Sequence, residues 1–232
     1  MIASAKTTGA SGTVALQRAV ADISQHLHSA GWVANHDGNV SARASDDVRF
    51  FATPTALSKR LVQPHDVLTV DLGGSVLSGR RRLFSEWHLH AACYRARRDV
   101  RAVIHAHPVH ATALGLARKP LGIPALPEMV VSLGNNIPLI DFALPKHPGQ
   151  DKAIEAALTT GDADAFLIAG NGVCTVGPDL ETALLRLELL EHYSSMLVAS
   201  AALGGITPLA DDDVKKLLEA RTKAGLGRAA RG

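Results

Sequence analysis

The chain has 232 residues, a formal net charge of +2, 47% hydrophobic and 20% charged side chains, enough for one large domain or two small ones with a substantial core. Lys and Arg are dispersed except at Arg80-Arg81-Arg82, so no polybasic footprint for nucleic acid is expected, and no stretch is long and apolar enough to span a bilayer. Cys93 and Cys174 each lie in an apolar run, which suits reduced thiols in a cytoplasmic protein better than a disulfide framework.

Residues 1–13 are small and polar and read as a flexible tail. Residues 14–30 carry apolar side chains at helical spacing (Val14, Leu16, Val20, Ile23, Leu27) and stop at Gly31, a good C-terminal signal. Residues 39–43 and 48–51 form a hairpin across Ser45-Asp46-Asp47, 53–59 a loop, and 66–71 a short strand before a Gly73-Gly74 turn and a second short strand near Val76. Ser85 is placed to cap a helix over 86–97. Residues 102–107 form an apolar strand that Pro108 ends, and 110–117 a helix. Residues 120–134, punctuated by Pro and Gly, read as an irregular crossover. Strands are expected at 137–142, 165–168 and 173–176. Asp179 opens the longest helix, to about 202, and Asp211-Asp212-Asp213 starts a last one that ends by Gly225, leaving 225–232 as a second tail. Helices and strands mix without strict alternation and several strands are hairpin-like. The expected fold is therefore α/β, a three-layer α/β/α sandwich around a largely antiparallel sheet, with 14–224 as one domain.

His105 and His107 are the most informative pair. Residues i and i+2 of a strand face the same way, so both imidazoles point to one side. Two such groups at the end of a buried strand form half of a divalent-metal site; hydrogen-bonded histidines of an ordinary strand are the alternative. Glu86 begins the helix that folds back before this strand. A carboxylate beside a Lewis acid is what enolisation needs, although a glutamate at a helix start is also favoured by the helix dipole. The donor-rich turns Asp37-Gly38-Asn39-Val40-Ser41 and Thr53-Pro54-Thr55-Ala56 are of a kind that cradles anions.

Taken together, Gly38-Asn39-Val40-Ser41-Ala42-Arg43, Thr53-Pro54-Thr55, Ser85-Glu86, His105-Ala106-His107 and the helix start at 177–188 resemble the class II aldolase/adducin family, in order and spacing from about residue 14 to residue 222. The resemblance implies a nine-stranded antiparallel sheet, a homotetramer with active sites between subunits, a small sugar-derived or hydroxy-carbonyl substrate, and a Zn²⁺ or similar ion held by three histidines with a glutamate as acid/base. His105 and His107 match two of the ligands and Glu86 the acid/base. Asn39, Ser41, Thr55 and Ser85 match positions that hold a substrate phosphate. The activity implied is reversible aldol cleavage through a metal-bound enediolate. Related readings are a metal-dependent decarboxylase of an aromatic or hydroxy acid, and a non-catalytic adducin-like protein.

Three departures stand out. Asn171 replaces the third histidine, in Ala169-Gly170-Asn171-Gly172-Val173; an amide oxygen is a weaker zinc ligand and shifts preference toward Mn²⁺ or Mg²⁺. Ala56 stands where the family has glycine and Phe84 where it has serine, which fits a substrate with no phosphate or a loosely held one. Glu128 occupies a place where some members carry a proton-transfer tyrosine. His147 is a candidate compensating ligand, His90 a residue that orients Glu86 from the next helical turn, and His110 a cap for the following helix.

Overall fold

A twisted sheet in the order β4-β3-β2-β1-β5-β8-β7-β6 runs through the molecule. The structure is a computed structural model and describes residues 10–119, 121–144, 147–161 and 163–227. The strands are β1 (Asn39–Arg43), β2 (Phe50–Ala52), β3 (Leu68–Val70), β4 (Val76–Ser78), β5 (Ala102–Ala106), β6 (Leu139–Ile140), β7 (Ala165–Ile168) and β8 (Val173–Gly177). The helices are α1 (Ala10–Ser29), α2 (Trp87–Ala96), α3 (Val109–Leu116), α4 (Pro127–Leu133), α5 (Pro148–Thr160), α6 (Leu180–Ala201) and α7 (Asp211–Lys223).

Alternation along the strands sorts the core into two layers. Val40, Ala42, Ile104, Ala106, Leu167 and Val173 face one side with the apolar residues of α1, α4, α6 and α7. Val103, Phe166, Ile168, Cys174 and Val176 face the other with α2 and α5. The expected three-layer α/β/α sandwich is what forms. Its sheet has eight strands among the described residues rather than nine, and β6 and β7 pair parallel while the other pairs are antiparallel. The parallel pair follows from its connection, because α5 carries the chain back across the face before β7 begins.

Several boundaries differ from expectation. Helix α1 begins at Ala10, four residues inside the expected tail; residues 1–9 and 228–232, the remainder of the expected tails, lie outside the described residues. Helix α4 occupies part of the expected crossover: Pro127 sits at its first turn, where a missing N–H costs nothing, and Gly134 ends it at φ 95°. Helix α5, unanticipated, has the same logic, with Pro148 in its first turn and Ile154 and Leu158 buried one turn apart. Asp179 caps α6 as expected, its carboxylate accepting the Thr182 N–H at 2.7 Å. The strand expected over 66–71 is shorter, because a 3-10 turn takes Pro64–Asp66.

Candidate active site

β5 lies between β1 and β8, and the register sets Asn39, His105 and Cys174 side by side across the three strands. Odd-numbered positions of β1 and β5 therefore share the face covered by α2, whose N-terminus carries Glu86. This pairing brings together residues far apart in the chain.

His105 is fully buried, and its Nδ1–H donates to the Val173 carbonyl at 2.9 Å. His107 Nδ1 lies 3.2 Å from the Asp37 carboxylate. Each ring thus spends Nδ1 on an acceptor and turns Nε2 inward, and the two Nε2 atoms are 3.2 Å apart. Two imidazole nitrogens this close attract each other only with a proton or a cation between them. Zinc–nitrogen bonds of about 2.0–2.1 Å at a tetrahedral angle would set the nitrogens about 3.3 Å apart. Imidazoles oriented by a carbonyl and a carboxylate are the usual form of metal-ligating histidine, so the donor set fits a divalent ion. Burial, reinforced by His107 and opposed by Glu86, pulls the His105 imidazole below its ordinary range.

Glu86 completes the cluster. Its Oε1 is 3.7 Å from His105 Nε2 and accepts Asn171 Nδ2–H at 2.8 Å, while Oε2 accepts Asn39 Nδ2–H at 3.0 Å. Burial raises its proton affinity, but His105 and the two amide donors outweigh that and hold the carboxyl below the usual carboxylate range. It stands ionised, with an oxygen turned to the histidines. The expected Ser85 cap does not form: Ser85 is exposed, α2 starts at Trp87, and Glu86 sits at the boundary with its side chain directed to the two amides instead of the helix.

Asn171 is held between Gly170 and Gly172 in the β7–β8 turn, both at positive φ. A Cβ on Gly172 would meet the Ala106 carbonyl and the His107 ring at 2.3 Å, so glycine is required for this turn to close over the ligand strand. Among the described residues no three of His, Cys, Asp and Glu gather into a complete metal site.

The expected substrate cradle is only partly presented. Ser41 is fully buried, its hydroxyl bonded to His90 and Tyr94, and Asn39 is buried between His90 and Glu86. Neither faces open space. Thr55 and Ser85 do lie on adjacent loops, joined by the Pro54–Leu83 bridge and the Thr55 N–H to Arg82 carbonyl bond of 2.9 Å. Ala56 keeps the glycine-like conformation of that loop, at φ 56°, despite its side chain. Phe84 is buried against Trp87 and 5.0 Å from the His90 ring centroid; it is core, and its ring is not offered to a substrate.

Glu128 is exposed in the first turn of α4 and bonds to none of these groups among the described residues. His147 caps α5, Nδ1 accepting Gly149 N–H at 3.2 Å, and is not a ligand. His110 does not cap α3 either; Glu191 does, accepting the N–H groups of His110 and Ala111 at 3.0 and 2.9 Å. Two residues escaped sequence reasoning. Asp37 belongs to a turn read for its donors, and its carboxylate beside His107 was not expected. Lys59, buried, donates to the carbonyls of His36 and Leu57 at 3.1 and 3.4 Å and so ties the two loops flanking the site.

Residues 18–198 match the family described as the Class II Aldolase and Adducin N-terminal domain. The L-fuculose phosphate aldolase of Escherichia coli strain K12 is 28% identical over 213 residues, covering 91% of this chain and 96% of that protein. The L-fuculose phosphate aldolase of Methanocaldococcus jannaschii is 29% identical over 174 residues, 75% and 91% of the two chains. Among solved structures, an L-fuculose 1-phosphate aldolase superposes with a TM-score of 0.80 at 22% identity, over 92% of this chain and 97% of that one.

Proposed function

The chain belongs to the class II aldolase/adducin family, and from that premise we propose that it reversibly cleaves a ketose or hydroxy-carbonyl substrate by metal-dependent aldol chemistry. The coarse class, an aldolase-type lyase, follows from the family and its relatives. The observation that carries the finer reading is the convergence of two Nε2 lone pairs beside an ionised carboxylate. A divalent ion, zinc first and manganese as the alternative, supplies a Lewis acid for the carbonyl and hydroxyl oxygens of the substrate when bound. His105, His107 and Asn171 hold it in this reading.

Glu86 is the acid/base. In the condensation direction its carboxylate removes a proton from the carbon beside the carbonyl. In cleavage the hydroxyl of the departing carbon loses its proton as the carbon–carbon bond breaks and the aldehyde leaves, and a proton taken up by Glu86 then passes to the carbon that held the bond. Asn39 and Asn171 fix the carboxylate plane through one N–H each, and burial of His105 disfavours the protonated ring. Thr55, Ala56 and Ser85 line the side where the substrate's far end lies, without a full anion cradle. A substrate with no phosphate suits it better than a sugar 1-phosphate.

Assembly into a cytoplasmic homotetramer belongs to the same proposal. Leu116 and Phe142 are exposed around a depression that Gly170, next to Asn171, also lines, and apolar surface of this kind favours contact with another protein surface. No helix among the described residues is long and apolar enough to cross a membrane.

The test is metal content per subunit after purification without chelator or affinity metal, joined to aldehyde release from L-fuculose 1-phosphate and from unphosphorylated ketoses. Near-stoichiometric zinc or manganese, lost in His107→Ala together with turnover, is the expected result. A protein that neither carries nor takes up a divalent ion is instead a non-catalytic relative.

A further inference from the structure

Behind Glu86, away from the histidine pair, runs a buried chain of hydrogen bonds that ends on Tyr94. Tyr94 OH is 2.7 Å from Ser41 Oγ, Ser41 Oγ is 2.7 Å from His90 Nδ1, His90 Nε2 is 2.5 Å from Asn39 Oδ1, and Asn39 Nδ2 is 3.0 Å from Glu86 Oε2. Ser41, His90 and Tyr94 are at most 2% exposed.

The direction of every bond is fixed from one end. The Asn39 amide presents its NH2 group to Glu86 Oε2 and its Oδ1 to His90 Nε2. Oδ1 only accepts in turn, so His90 carries its proton on Nε2. Among the described residues the His90 ring has no carboxylate partner, and complete burial pulls its proton affinity well below the ordinary value and favours the neutral ring. Nδ1 is therefore an acceptor, Ser41 donates to it, and Tyr94 donates to Ser41. An amide left alone can flip; with Oδ1 against Glu86 it would repel the carboxylate.

We propose that His90, in the Nε2–H tautomer, is a positioning residue that pins the Asn39 amide and through it the Glu86 carboxylate. The inference rests on the reading of Glu86 as the acid/base. It also assigns Asn39 and Ser41 to the support of Glu86 and removes them from the surface that touches substrate. The aromatic packing of His90 between Trp87 and Phe84 holds the ring in the plane the chain needs, which gives Phe84 a purpose apart from substrate choice.

Two measurements on the full-length metal-loaded protein decide it. The first is nitrogen-15 NMR of the histidine side chains, which reads the tautomer without any substrate: a neutral His90 with its proton on Nε2 is expected. The second compares His90→Phe, which keeps a ring but loses both nitrogens, with His90→Gln, whose amide N–H reaches the place of Nε2. With L-fuculose 1-phosphate as probe, His90→Phe should lower kcat by about 10–100-fold while KM and metal content hold, and His90→Gln should recover most of the loss. An Nδ1–H or doubly protonated His90 overturns the proposal whatever the turnover, as does an unchanged kcat in His90→Phe or an equal loss in both variants. A wild-type protein inactive on the probe counts against the aldol reading for that substrate, and the tautomer then decides this one alone.

Discussion

If His107 is the metal ligand proposed above, Asp37→Asn isolates the support of that ligand. The Asp37 Oδ1 accepts the Ala34 N–H within its turn, and Oδ2 lies 3.2 Å from His107 Nδ1. An asparagine keeps the first bond only by leaving its oxygen there, so its NH2 group must face the imidazole. Nδ1 then has to accept, and a neutral His107 carries its proton on Nε2, the atom 3.2 Å from His105 Nε2. The lone pair meant for the ion is lost while the turn survives. Removing such an outer partner costs about 10–100-fold in metal affinity, or about 1.4–2.7 kcal/mol. Both side chains are near 30% exposed, 29% and 32%, so water screens the pair and the lower half of that range is expected. Competition for zinc against a chromophoric chelator at fixed pH measures it, with circular dichroism to confirm the fold. A zinc Kd within twofold of the wild type would refute the argument, because His107 would then not be using Nε2 as a ligand.

Three further outcomes follow from the same geometry. Glu86→Gln sets one amide nitrogen against another at Asn39 or Asn171, and should lose about 10²–10⁴ in kcat with metal content retained; an active variant would remove Glu86 from the chemistry. Asp164 is fully buried and bridges Arg97, Arg186 and Arg221 at 2.9, 2.7 and 2.8 Å, so Asp164→Asn should lower the urea-unfolding free energy by at least about 3–5 kcal/mol, and a loss under 1 kcal/mol, on the order of a surface pair, would contradict it. Burial lowers the Lys59 ammonium to about 8 from 10.5, against the pull of Asp37 and Glu86. The folded state then binds fewer protons than the unfolded one between those values, so this group's contribution to stability rises with pH across that window, by at most about 3 kcal/mol. The stability difference between wild type and Lys59→Met should shift toward the wild type between pH 7 and pH 10; a flat difference excludes a depressed lysine.

What was legible in the chain was whatever local spacing encodes. A period of two along 102–107 placed both histidines on one face, and they do converge. The Asp179 cap and the acidic first turn of α7 are written in adjacent residues. Helices α4 and α5 carry helix-start signals in Pro127 and Pro148, but the Pro and Gly of 120–134 point to a crossover and no element is expected over 148–160. The chain behind Glu86 was not legible. Its members at 39, 41, 86, 90 and 94 meet only because β1 pairs with β5 under α2, and nothing local tells a buried hydroxyl from one offered to substrate. Asp37 and Lys59 were hidden for the same reason, since each acts on residues brought near by the register.

The exchange at position 171 reads differently once its neighbours are known. Taken alone, asparagine for histidine is a loss, because an amide oxygen binds zinc less well than imidazole. An imidazole that ligates through one nitrogen, however, has only its other nitrogen left to donate, on the far side of the ring. An amide carries donor and acceptor on the same carbon, and Asn171 gives its N–H to Glu86 Oε1 at 2.8 Å while its oxygen takes no hydrogen bond among the described residues. One small side chain can then serve the carboxylate and an ion together. Glu86 gains a second amide donor opposite Asn39, and these two, with His105, keep it ionised despite burial. In the proposed function, position 171 thus gives up ligand strength and adds a donor to the carboxylate proposed as the acid/base. On the proposed reading the site suits a harder ion, and two amide donors on one carboxylate favour that reading over a non-catalytic scaffold, which has no need of them.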